Sequence, residues 1–119
     1  MRESRMWLLF ILSGVLLFFF LGLHLVYMHL DRIMAFLGIS TGDVLAFSTV
    51  ARRGASLNWL LFYLALLVLA LYHGLYGLRS ILLEISNREK IINTCLLVAG
   101  LLALAVGAYV LIKSYTFSI

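Results

Sequence analysis

His73, Gly77, Ser80 and Glu84 stand at offsets of four, seven and eleven residues, so on a helix they share one face. They belong to the run LYHGLYGLRSILLE, Leu71 to Glu84, in or beside a stretch apolar enough to cross a bilayer. Ionisable groups at bilayer depth are expensive and mark functional sites by default. A neutral imidazole facing a bundle interior can offer a nitrogen to iron. A glycine one turn away leaves room for a flat macrocycle beside it. On residue type and spacing, His73 is a candidate haem ligand; a hydrogen bond to a neighbouring helix is the plainer role open to it.

The other histidines also lie in or beside apolar runs. His24 is near the far end of the first run, and His29 follows five residues later. That offset is about 7.5 Å along a helix and roughly 140° around it, so the two do not readily ligate one iron. His29 lies close to the interface, where hydrogen bonding accounts for it. His24 and His73 fall at different depths, so any iron they bind is not shared. Each iron would then need its second axial ligand from another chain. Arg79 and Glu84 mark the end of the second run. An interfacial position with a local ion pair explains both. The functional alternatives are pairing with haem propionates and protonation of a reduced quinone. A zinc site is poorly supported by three histidines on two helices without a carboxylate at their depth. Cys95 is alone within an apolar run, which leaves no disulfide framework and reads as packing.

The elements that must position these residues follow from composition. Of 119 residues 65% are apolar and none is proline, with a mean hydropathy of +1.13, far from a soluble domain. The basic residues form no face, which argues against a nucleic-acid partner. The fold class expected is all-α transmembrane, a single membrane-anchor domain over residues 1–119. Three up-down-up helices would span about 6–30, 57–83 and 91–112. The charged start and apolar run resemble a signal peptide. The run continues to about Tyr27 without a clear cleavage site, so it reads as a retained span. Between the first two spans, Gly38-Ile39-Ser40-Thr41-Gly42 breaks the chain. Asp43 can cap a turn, and Val44, Leu45, Phe47 and Val50 recur toward Arg52-Arg53 as a short interfacial amphipathic helix would require. Gly100, Ala103 and Gly107 form a small-residue stripe for close packing of the third span. Trp7, Tyr27, Trp59 and Tyr115 sit near span ends as interfacial aromatics do. Arg2, Arg5, Arg79, Arg88 and Lys90 outnumber Arg32, Arg52, Arg53 and Lys113 by five to four, which places the N-terminus in the cytoplasm.

These residues resemble a known family. The stretch His73 to Glu84 resembles the second-span motif of the membrane-anchor cytochrome b subunits of succinate dehydrogenase and fumarate reductase (complex II). Phe20-Leu21-Gly22-Leu23-His24-Leu25-Val26-Tyr27-Met28-His29 is similar to the first-span motif of two-haem members. The His24/His29 pair and Ser48-Thr49-Val50-Ala51-Arg52-Arg53 are most similar to the short "D" anchor of archaeal and some bacterial enzymes. The resemblance extends from about Ile11 to Glu84. It implies a non-catalytic anchor in a prokaryotic plasma membrane, paired with a second anchor subunit. An iron–sulfur subunit and a flavoprotein would sit on the cytoplasmic side. Succinate is oxidised at the flavin, outside this chain, and electrons reach a quinone near that face. His73 then takes the inner haem b and His24 the outer one, each haem shared with the partner anchor. Arg79 becomes a cofactor-binding candidate, and Glu84 and Ser80 quinone-site candidates. In one-haem members a tyrosine follows the acidic residue and contacts quinone; here Ile85 follows Glu84. The Ser-x2-His-Arg-x-Ser pattern of the partner anchor is absent near Ser13, so most quinone contacts are expected from that partner.

Two readings of other classes compete. A cofactor-free membrane scaffold or assembly subunit suits the small-residue stripe and Cys95 equally well. A small multidrug-type transporter requires a glutamate within the first span, which has none.

Overall fold

Hydrocarbon offers no partner to a peptide group, so each apolar run closes its own hydrogen bonds as helix. In the computed structural model, which describes residues 2–40, 42–43 and 45–117, the elements are α1 Arg2–Met28, α2 Leu30–Phe36, α3 Phe47–Gly54, α4 Leu57–Ile85 and α5 Glu89–Phe117. Among the described residues, α1, α4 and α5 are the helices long and apolar enough to cross a membrane. They outrun most of the expected spans, because helical hydrogen bonding continues into polar ends such as Arg2, Glu3 and Glu89. The first span stops earlier, at Met28, where the His29 amide divides its hydrogen bond between the Leu25 and Val26 carbonyls at 3.2 Å each.

The long connection holds two short helices where the sequence suggested one. After α2, Gly38 takes φ +78°, the left-handed conformation that suits glycine and turns the chain. Asp43 caps a turn as expected: its carboxylate accepts the Leu45 amide at 2.9 Å, ahead of α3, which starts after Ala46. Thr41 and Val44 lie outside the described residues. Along α3 the apolar Phe47 and Val50 face outward, Phe47 being 87% exposed, whereas Arg53 is turned in and only 5% exposed.

The three long helices stand in a row with α4 in the middle. α1 packs on one side of α4 and α5 on the other, and α1 makes no direct helix contact with α5. Both seams are antiparallel. On the first, Tyr27 meets Trp59, His24 meets Tyr63, and Phe10 meets His73 and Tyr76. The residues of α1 withdrawn from the surface here include Phe10, Ser13, Leu17, Phe20, His24 and Tyr27, a helical stripe at spacings of three and four. On the second seam, Gly100 lies against the Leu75 side chain and Gly107 against the Leu67 side chain, so two residues of the small-residue stripe make room for leucines of α4. Ala103 is exposed and takes no part. The turn Ser86–Arg88 joins α4 to α5, with the Glu89 amide bonded to the Asn87 carbonyl at 3.0 Å.

These approaches predict unequal responses to added methyl groups. A Cβ at Gly14 would lie 2.8 Å from the His73 ring, which is itself stacked on Phe10, whereas one at Gly22 meets nothing within 4 Å. Gly14→Ala should therefore destabilise the protein by about 1–3 kcal/mol through overpacking. Gly22→Ala should be neutral or stabilising by up to about 1 kcal/mol through helix propensity. Unfolding titrations in detergent read the contrast; equal midpoints for the two variants would contradict the α1–α4 seam. On the other side, Gly107→Val should cost about 1–3 kcal/mol, since a Cβ there comes 2.7 Å from Leu67. An unshifted midpoint would place α5 farther from α4.

Candidate functional site

His73 points from α4 into α1. Its Nδ1 lies 3.2 Å from the Phe10 carbonyl oxygen and 3.5 Å from Ser13 Oγ. The Ser13 hydroxyl already donates to that carbonyl at 2.7 Å, and Ser13 is 5% exposed. A carbonyl only accepts, and the serine hydrogen is spent on it, so Nδ1 must be the protonated nitrogen. The proton thus faces a fixed acceptor, and the lone pair is left on Nε2, which has no hydrogen bond among the described residues. The imidazole is stacked on the Phe10 ring, with centroids 4.4 Å apart and planes 5° off parallel. It can come this close because Gly14 has no side chain in its way.

His24 is positioned differently. Its ring meets Tyr63 edge to face at 5.5 Å, in an aromatic cluster with Tyr27, Trp59 and Phe62. Its Nδ1 is buried without a hydrogen-bond partner, while Nε2 is not sealed in this way. Beside it is a cavity of about 260 Å³, lined by residues that include His24, Tyr63, Arg53 and Met28. The Arg53 guanidinium stands 5.0 Å over the Tyr27 ring and donates through Nη1 to Met28 Sδ at 3.5 Å. His24 abuts Tyr63, ten residues ahead of His73 on α4, which separates the two imidazoles by about 15 Å along the helix. His29 is exposed in the turn between α1 and α2.

The structure separates the residues expected beside His73. The space next to Gly77 is met by the Phe10 ring at 3.5 Å, so the room expected there for a macrocycle is taken within this chain. Ser80 is exposed and donates to its own helix at the Tyr76 carbonyl, 3.1 Å away. Glu84 is exposed on α4 and has no ion pair with Arg79. Arg79 instead turns to α5: Nε donates to Asn93 Oδ1 at 2.7 Å, and an Nη pairs with Glu89 at 3.3 Å. A five-residue offset places Glu84 roughly 140° around α4 from Arg79, whereas Glu89 and Asn93 share a face of α5. Arg79, Tyr72, Tyr76, Asn93 and Arg2 line a groove of about 550 Å³, floored by α4 between α1 and α5. Neither Ser80 nor Glu84 lines it.

Phe10, Ser13 and Gly14 are site residues that the sequence reading passed over. Ser13 precedes His24 by eleven residues, three turns on one face, which was the available signal. Arg53 was read as a positive charge and as the last residue of the Ser48–Arg53 motif, and no pattern shows which way a charge turns on so short a helix.

A flat, iron-bearing cofactor needs from this chain an imidazole with one free, reachable nitrogen. Nδ1 of His73 faces the Phe10 carbonyl and Nδ1 of His24 is buried, so Nε2 is the remaining nitrogen of each ring. Among the described residues no group of three or more His, Cys, Asp or Glu could hold a metal ion by itself. An iron bound here would take a single protein ligand from this chain.

Comparison with known proteins gives one relative. The chain is 35% identical over 78 residues to the succinate dehydrogenase hydrophobic membrane anchor subunit of Thermoplasma acidophilum, a match covering 66% of this chain and 57% of the relative. No family model and no solved structure matches it. With its three candidate spans, the chain is a multi-pass membrane protein, and it is similar over 78 residues to a succinate dehydrogenase hydrophobic membrane anchor subunit of which it spans less than two thirds.

Proposed function

We propose that the chain is a haem b-ligating membrane anchor of a succinate:quinone oxidoreductase in a prokaryotic plasma membrane, with its N-terminus in the cytoplasm. Its partners on this reading are a second anchor, an iron–sulfur subunit and a flavoprotein, with quinone as the electron acceptor. The supporting observation is the hydrogen bond from His73 Nδ1 to the Phe10 carbonyl. It fixes the tautomer and orients the ring, as metal-ligating histidines generally require, and keeps Nε2 as the basic nitrogen. His73 would hold the inner haem and His24 the outer. Bound there, haem supplies one-electron transfer at a potential set by its axial ligands and low-dielectric surroundings. The chain's own work is to orient two imidazoles, exclude water around them and seat the assembly in lipid. Arg79, fixed by Glu89 and Asn93, presents the remaining donors of its guanidinium at the mouth of the groove.

A cofactor-free anchor is the competing reading, and the Phe10 ring stacked on His73 favours it, since His73 then simply joins two helices. Visible spectra of the complex purified with its partners separate the two. His73→Ala should remove one low-spin b-type band from the reduced-minus-oxidised spectrum and leave the other; His24→Ala should do the reverse. Retention of both bands in the assembled His73→Ala complex would refute its ligand role, and a wild-type complex with no b band would establish the cofactor-free anchor.

A further inference from the structure

Two hollows on one face of the bundle run into each other. The groove at the α4–α5 turn, about 550 Å³, has Arg2, Glu3, Arg79, Glu89 and Asn93 at its mouth. Beneath it a second hollow of about 210 Å³ is walled by apolar side chains, Gly100 and Tyr72. Tyr72, Leu75, Leu96 and Leu97 border both, so the two form one trough along the α4–α5 seam. It runs from Arg79 to Val68 on α4 and from Asn93 to Leu104 on α5, eleven residues on each helix. That is about 16 Å of helix rise, close to half of a hydrocarbon core of about 30 Å. The trough is therefore one leaflet deep.

Its two ends differ in chemistry. The Tyr72 hydroxyl is committed to the Met6 carbonyl at 2.8 Å, so the walls of the lower hollow bring no free donor. At the mouth, donors are in excess. Asn93 accepts from Arg79 through Oδ1, which leaves its own N–H groups to donate. Arg79 spends Nε and one Nη on Asn93 and Glu89 and keeps the rest of its fork. Arg2 is exposed and has no ion pair among the described residues. Two guanidinia and an amide suit a phosphate. Glu3, which also has no ion pair among the described residues, suits an ammonium.

We propose that this trough binds one phospholipid with an amine head. Arg2, Arg79 and Asn93 hold the phosphate, Glu3 receives the ammonium, and an acyl chain lies between α4 and α5. Apolar walls give a chain no hydrophobic gain over other lipids, so the head supplies selectivity and the trough supplies fit. Neither His73 nor His24 lines the trough, so the site stands whether or not the chain binds haem.

Native mass spectrometry tests this on the full-length chain, purified with its partners and titrated in detergent with phosphatidylethanolamine. Wild type should hold one such lipid through washing, in preference to phosphatidylglycerol. Replacing both arginines, Arg2→Gln with Arg79→Gln, should weaken binding about tenfold, as loss of charge-assisted hydrogen bonds implies. Leu97→Trp should weaken it as much by filling the trough. Leu97 borders both hollows and is 64% exposed, so the larger ring leaves the seam intact. Leu102→Trp, 63% exposed on the same helix but outside the trough, should bind as wild type does. Equal retention in wild type, the arginine pair and Leu97→Trp would overturn the site and leave an annular lipid only. Recovery of a quinone in place of phospholipid would overturn it too, as would displacement of the lipid by glycerol phosphate alone. Equal binding of the two phospholipids would overturn the part given to Glu3. Should the arginine pair fail to assemble, Leu97→Trp against Leu102→Trp decides: weaker binding in the first alone supports the proposal, and equal binding overturns it.

Discussion

Hydrocarbon cannot hydrogen-bond, and that constraint arranges everything polar in this protein. Most polar groups within a span are satisfied on their own helix or at a seam, the buried Nδ1 of His24 being an exception. The α1–α4 seam gathers them: Tyr72 donates to the Met6 carbonyl at 2.8 Å, and the Phe10 carbonyl receives both Ser13 and His73. The α4–α5 seam within the apolar depth is built instead from glycine against leucine. Its hydrogen bonds wait until the end of the helices, where Arg79 meets Asn93. The central helix therefore has two unlike sides, one that specifies a register through polar contacts and one that only allows close approach.

The two arginines that approach the helices show how depth changes the same chemistry. Arg79 lies at an open end with a quarter of its side chain exposed, so its pair with Glu89 is worth at most about 1 kcal/mol. Arg53 is buried at the opposite end, where desolvating a guanidinium costs several kcal/mol before any compensation. Its position over Tyr27 returns part of that, since a desolvated cation–π contact can reach about 2 kcal/mol.

The three spans, and the different depths of His24 and His73, were legible in the sequence because lipid leaves few conformations and helix rise is constant. The seam partners were not. Which residue of α1 meets His73 depends on how two helices settle against each other, and Gly14 and Phe10 carry no signal of that in their own neighbourhood. Ser13 does, as a small polar residue three turns from His24, but a serine in an apolar run also satisfies itself on its own helix, as its bond to Phe10 shows. Glu84 misled for the opposite reason. It stands near Arg79 in sequence, whereas the fold supplies Glu89 across a turn. The glycine argument failed at Gly77 in the same way: a missing side chain announces a close neighbour without saying whether it is a cofactor or, as here, a phenyl ring.

The row arrangement bears on how such an anchor would acquire haem. Nitrogen binds a metal at about 2 Å, so imidazoles about 15 Å apart cannot serve one iron. α5 carries no histidine, and His29 is exposed in the turn after α1, so no second histidine of the described chain approaches either site. A bis-histidine haem at His73 or His24 therefore closes only when another chain brings its own imidazole against this one. Ligation and subunit association then become one equilibrium, each strengthening the other by linkage.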